Sequence, residues 1–182
     1  MRRFKRDQRA QALIEIAFLL PMLTVLVLGT VDYSRATYDE EVITNLAGEG
    51  SSLASRSGGA TTASLSNAVT AVLADTDIDL ADLGCVVVSA VTSPSSGSYQ
   101  LTGQVYSSTC NIGSSYVGCY PTSSKCASTA ATLPAGVQSV LTANSGQVVY
   151  VTEVFYKFNS ATAVGKLVTS VLPSQLYAVA YY

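Results

Sequence analysis

The sequence predicts an α+β fold in which a long N-terminal helix packs by its outer half on a small antiparallel sheet of three to four strands. Three observations predict it. Ala12–Val31 form an apolar run, ALIEIAFLLPMLTVLVLGTV, whose only ionisable side chain is Glu15. From Ala36 to Ala54, apolar or small residues recur at three- and four-residue spacing. Beyond Cys85 the apolar residues come in short β-branched and aromatic runs, separated by stretches of Ser, Gly and Pro.

The first element is the apolar run. Twenty helical residues span roughly 30 Å, about the hydrocarbon thickness of a bilayer. The run is long for the apolar part of a cleaved secretory signal, and no A-x-A site follows it. A retained membrane anchor is the expectation. Charge agrees with it. The first ten residues carry five Lys or Arg against one Asp, whereas the remaining 172 carry five against eleven Asp or Glu, so a net of +4 precedes the run and −6 belongs to the rest. That asymmetry predicts a single pass with the short basic end (1–10) in the cytoplasm and the rest outside. Two residues inside the run are costly. Pro21 removes a helical hydrogen bond and is expected to kink the helix. Glu15 places a carboxylate a few residues into apolar surroundings, which demands a cation or a path to water among the leader arginines.

Past Val31 the helix continues to about Arg56. Ala36, Val42, Ile43, Leu46, Ala47, Gly50, Leu53 and Ala54 form one stripe, with Asp39, Glu40, Glu41 and Glu49 mostly off it. Gly58 and Gly59 then break the pattern. The predicted organisation is a leader (1–10), a long helix (11–56, with 12–31 transmembrane) and an extracytoplasmic α+β head (57–182).

Within the head, a short helix is expected from Ala63 to Leu73. Asp75, Asp77, Asp79 and Asp82 follow in ADTDIDLADLG. Alternate carboxylates invite a calcium reading, but Leu80 and Val86 stand where an EF-hand needs glycine and a bidentate glutamate, which favours a solvated, helix-capping loop and no metal. CVVVSAVT (85–92) and YQLTGQVYS (99–107) read as a hairpin about SPSSGS. QVVYVTEVFYKF (147–158) is apolar on both faces except at Glu153 and Lys157, and so is expected to be central. SQLYAVAYY (174–182) closes the sheet.

Cys85, Cys110, Cys119 and Cys126 all lie beyond the anchor, and an even count outside the cytoplasm favours two disulfides. Three connectivities are possible. Folding the hairpin puts Cys85 near Tyr106, a few residues short of Cys110, which favours Cys85 with Cys110 and leaves Cys119 with Cys126. These would staple a loop at about 108–133. The loop is rich in Ser, Gly and Tyr, and Tyr116 and Tyr120 are candidates for adhesive contacts beside a purely structural reading.

Composition narrows the chemistry. The chain has no histidine, so no histidine-assisted hydrolase or imidazole metal site can be built from it. No G-x-S-x-G and no phosphate-binding glycine loop occur, and Ser170 with Lys166 is ordinary helical spacing. No basic patch lies outside the leader. The expectation is a protein that is not an enzyme, has no cofactor, and takes neither nucleic acid nor a small-molecule substrate.

The stretch RDQRAQALIEIAFLLPMLTVLVLGTVDYSRATY resembles the start of TadE-like minor pilins, or pseudopilins, of the Tad (Flp, type IVb) pilus system. The ending VVYVTEVFYKF, a Ser/Thr-rich linker and SQLYAVAYY are similar to the family's usual ending. The resemblance implies that a prepilin peptidase cuts after Ala10, where the family usually has glycine, making Gln11 the new N-terminus and Glu15 the fifth mature residue. It also implies a pilin-like helix, other pilin subunits and an inner-membrane assembly platform as partners. The protein would sit in the inner membrane with its head outside, then join an extracellular pilus used in surface attachment and secretion systems. The alternative is a permanently anchored extracytoplasmic binding or adhesion protein that is never processed.

Overall fold

The computed structural model describes residues 2–76, 78–93, 99–108, 110, 115–120, 129–143, 146–167 and 172–182. Helix α1 runs from Arg2 to Arg56. It therefore ends where the stripe predicts, and it begins nine residues before Gln11, because Arg, Lys, Gln and Ala in the leader are all good helix formers. It continues through Pro21 without a break in its assignment.

The chain divides into two compact units, Met1–Tyr38 with Asn159–Ser174, and Asp39–Phe158 with Gln175–Tyr182. The division falls inside α1, and residues 159–174 join the unit that holds the apolar run. In that first unit the run is bare: Leu13, Phe18, Leu20, Met22 and Leu26 are all at least 60% exposed. It also holds the short α5 (Ala163–Leu167).

The second unit is built on one antiparallel sheet of order β3-β2-β1-β4-β5, comprising β1 (Gly84–Thr92), β2 (Gln100–Tyr106), the two-residue β3 (Thr129–Ala130), β4 (Val148–Tyr156) and β5 (Leu176–Tyr181). Four strands carry the sheet and β3 only extends one edge. β1 and β4 are its middle and are buried on both faces, which explains their unbroken apolar runs. Val88 pairs with Thr152 and Ser89 with Val151 in a nine-residue register. The hairpin partner β2 shifts register between Ala90 and Val91, a bulge that leaves Thr102 to donate its hydroxyl to Ala90 O at 3.0 Å.

One sheet face meets the outer part of α1 and α2 (Thr62–Ala74), with Ile43, Leu46, Ala47, Ala54, Leu65 and Val72 buried there. Contact is closest at Gly50. A Cβ there would lie 2.8 Å from Thr152 Cγ2 and 3.0 Å from Val72 Cγ2, so only hydrogen fits. The other face is covered by α4 (Ala135–Ala143), Leu133 and residues 115–120, which together with Val91, Leu101 and Val151 enclose Val117 and Leu141. This second layer is absent from the sequence reading. The Ser-, Gly- and Tyr-rich loop supplies part of it, with Val117 2% and Tyr120 4% exposed.

The acidic loop resolves into caps. Asp75 is the C-cap of α2, and Asp79 is the N-cap of α3 (Leu80–Leu83), accepting from Asp82 N at 3.2 Å. Asp77 lies outside the described residues.

Candidate functional site

Three sites combine charge with an unusual setting. The first is the start of the apolar run. Helical spacing places Gln11 one turn before Glu15, and Gln11 Nε2 donates to Glu15 Oε1 at 3.3 Å. Both side chains are exposed. The two threonines of the run turn inward on the backbone, Thr24 Oγ1 donating to Leu20 O and Thr30 Oγ1 to Leu26 O, both at 2.8 Å. Their hydroxyls are thereby satisfied within the helix, which an apolar surrounding requires. α1 from Gln11 onward is the helix long and apolar enough to cross a membrane among the described residues, with a mean hydropathy of 2.3 over its most apolar window and none of that window buried.

The second site stands one residue beyond the run. Asp32 is fully buried, although no cation touches it in the hydrogen-bond network described for it. Its carboxylate instead takes four donors from one tripeptide. Ala161 N donates to Oδ1 at 3.0 Å and Thr162 N to Oδ1 at 3.2 Å, while Ser160 Oγ donates to Oδ2 at 2.8 Å and Thr162 Oγ1 donates closely to Oδ2. The Thr162 hydroxyl above all, then Ser160 and the two amides, hold the carboxyl below its ordinary range against burial, which pushes it up. Gly165 makes the approach possible: a Cβ there would fall 2.1 Å from both Asp32 Oδ2 and Ser160 Oγ. The Ser/Thr-rich linker is thus a strap tied to α1. The sequence reading passed over it, though an acid immediately after an apolar run was the available signal.

The third site lies in the second unit. Glu153, in the middle of β4, is fully buried on the sheet face opposite α1. Tyr116 N donates to its Oε1 at 2.8 Å and Tyr177 Oη to the same oxygen at 3.0 Å, while Ser115 Oγ donates closely to Oε2. The carboxylate thereby pins the 115–120 segment to the strand. Burial first, and then the charge of Glu153, push the Tyr177 hydroxyl far above its ordinary range; Tyr181 moves the same way for the same causes.

Around this pin the aromatic residues separate into two kinds. Tyr120 is core: its hydroxyl donates to Cys110 O at 2.9 Å, its ring packs 4.6 Å from that of Tyr106, and burial raises its pKa. That corrects the expectation of an adhesive Tyr120, since a side chain 4% exposed offers no surface. Tyr116 is 68% exposed, with its ring 4.7 Å from Tyr177 and 6.4 Å from Phe155. Cys85 and Cys110 form a disulfide that closes 25 residues of chain around the hairpin. Cys119 is also disulfide-bonded. The expected pairing of Cys119 with Cys126 lies outside the described residues, because Cys126 does.

One bare apolar helix near the N-terminus, continued into a disulfide-bonded α+β unit, fits a single-pass membrane-anchored protein. Residues 10–52 match the family model described as TadE-like protein, so over the apolar run and most of α1 the chain is similar to that family. The match starts at Ala10, covers Gln11, Glu15, Pro21 and Asp32, and stops short of the sheet. No curated protein and no solved structure matches the chain.

Proposed function

We propose that the chain is a minor pilin or pseudopilin: a prepilin peptidase cuts it between Ala10 and Gln11, and the mature chain enters or primes a Tad-type pilus that serves surface attachment. The observation that carries this reading is the match over residues 10–52, which begins at the small residue before the cut and includes the glutamate at the fifth mature position. Before cutting, α1 is anchored in the inner membrane with the acidic remainder outside. Cutting removes the basic leader and leaves 172 residues with a side-chain net of −6.

The chemistry of Glu15 supports the same reading. Its carboxylate is exposed on an apolar helix and is met in its own chain only by the neutral amide of Gln11 among the described contacts. Cleavage turns the backbone nitrogen of Gln11 into an ammonium group. In a packed array of such helices, that ammonium of one subunit pairs with Glu15 of a neighbour, because leaving either charge alone in apolar surroundings costs several kcal/mol. The pairing sets axial register and does not exist in the uncut precursor. Of the two candidate loop tyrosines, Tyr116 is the one exposed for contacts with a surface.

The test is the mature N-terminus. N-terminal sequencing or intact mass of envelope protein is expected to begin at Gln11, and a chain beginning at Met1 would replace this reading by a permanently anchored binding protein. Glu15→Gln is expected to leave the anchor in place while reducing incorporation into filaments; undiminished incorporation would remove the pairing.

A further inference from the structure

The strap at Asp32 has a consequence for how the chain leaves the membrane surface, and it rests on the reading of α1 as a membrane anchor. Segments 32–38 and 159–174 of the first unit contain one acid, Asp32, and two bases, Arg35 and Lys166. The acid is fully buried and both bases are exposed. The rest of the chain after the leader is acidic, so this is a locally cationic surface on an otherwise anionic protein. Tyr33 and Tyr38 are 68% and 54% exposed beside it.

Distance along the helix decides where these side chains fall. At about 1.5 Å per residue, Tyr33 and Arg35 stand roughly 3 and 6 Å beyond Val31, and Tyr38 roughly 10 Å. The headgroup layer on each side of a bilayer is roughly 5–8 Å deep. At about 100° per residue, Arg35 and Tyr38 lie about 60° apart on one side of α1 and Tyr33 points to the other, so the groups flank the helix on both sides. Lys166 adjoins Gly165, which is packed against Asp32, and therefore lies at the same level. Tyrosine rings and basic side chains are the groups that prefer this depth, whereas a bare carboxylate is repelled by lipid phosphates.

We propose that Tyr33, Arg35 and Lys166 form a collar seated in the phosphate layer at the outer membrane surface, with Tyr38 at its outer edge, and that the 160–162 strap serves to withdraw Asp32 from it. The ligand is the anionic phosphate of lipid headgroups. Each exposed base is worth about fivefold in partitioning to an anionic surface. The strap removes the acid that lies at the same level as these bases.

The chain contains no tryptophan, so a single introduced one reports its own depth. The full uncut chain is reconstituted in phosphatidylcholine vesicles with and without phosphatidylglycerol, carrying Tyr33→Trp, Phe18→Trp or Tyr116→Trp. With lipids brominated near the headgroup, quenching of Tyr33→Trp is expected to be severalfold greater than with lipids brominated deep in the chains, and Phe18→Trp is expected to show the reverse. Quenching of Tyr33→Trp by aqueous iodide as complete as that of Tyr116→Trp overturns the collar. Protection from both iodide and lipid bromine also overturns it, since another protein copy then covers the ring. If Phe18→Trp also escapes lipid quenching, the anchor itself is refuted. Phosphatidylglycerol is expected to deepen the protection of Tyr33→Trp from iodide, and Arg35→Gln with Lys166→Gln to abolish that gain; a gain unchanged in the double variant refutes the phosphate contact.

Discussion

Replacing Glu153 by leucine tests what holds residues 115–120 on the sheet. Leucine fills nearly the same volume in an enclosed site, so the change in packing is small and the loss is polar. Three donors lose their acceptor: Ser115 Oγ, Tyr116 N and Tyr177 Oη. A buried donor left without a partner costs about 1–3 kcal/mol, so the three together cost about 3–9 kcal/mol if the segment stays in place. Releasing the carboxylate from its own burial returns part of this, and the segment can lift to let water in, which places the net loss near 3 kcal/mol. For a chain of this size that lowers the melting midpoint by roughly 6–12 °C.

Glu153→Gln is the discriminating companion. Its carbonyl oxygen can keep the two donors now on Oε1, and its amide meets Ser115 Oγ, which can turn to accept. Only the strengthening given by charge is lost, about 1–2 kcal/mol. Thermal and urea unfolding of the full chain in detergent, followed by circular dichroism, gives the ranking wild type, Gln, Leu. Limited proteolysis at residues 115–120 should follow the same order. A leucine variant as stable as the wild type, or more stable than the glutamine variant, would show that the carboxylate is tolerated and not structural.

Three further outcomes follow from other sites. The folded-state pKa of Asp32 is lowered, so its contribution is complete above the ordinary carboxylate range and is lost as pH falls through the lower folded value. Amide exchange at Ala161 and Thr162 should therefore accelerate, beyond its intrinsic pH dependence, only at acid pH in the wild type, and at all pH values in Gly165→Ala, where the added Cβ displaces the strap from Asp32. Thr152 Oγ1 is buried with no hydrogen-bond partner, so Thr152→Val should raise stability by about 1 kcal/mol, read as a higher urea midpoint at unchanged slope. Removing the Cys85–Cys110 disulfide by Cys85→Ala plus Cys110→Ala should cost about 3 kcal/mol, measured by urea unfolding against the wild type without reductant.

Much of the fold was legible because the relevant signals are local. The stripe from Ala36 to Ala54 ended the helix at Arg56, Gly58 and Gly59 marked its stop, and short β-branched and aromatic runs between turn residues located β1, β2, β4 and β5. The Cys85–Cys110 pair followed from hairpin register alone. What was misread depends on residues far apart in sequence. Tyr120 is polar-tipped and sits among serines and glycines, a composition that reads as surface. It is core because the chain after Cys110 folds back over the sheet. α4 went unread because AGVQSVLTA is short and has no cap or charge pattern to announce it.

Asp32 and Glu153, both fully buried, show the division most clearly. The sequence by itself determined a bare apolar helix long enough to cross a membrane, and it determined that Glu15 and Glu153 are out of place in their runs. It left open what meets them. Asp32 finds its donors about 130 residues away and Glu153 finds two of its three about 38 residues away, and no local pattern records such pairs. Burial makes a carboxylate require donors, but only the folded chain decides which backbone amides and hydroxyls arrive within reach, because that depends on where the turns return the chain.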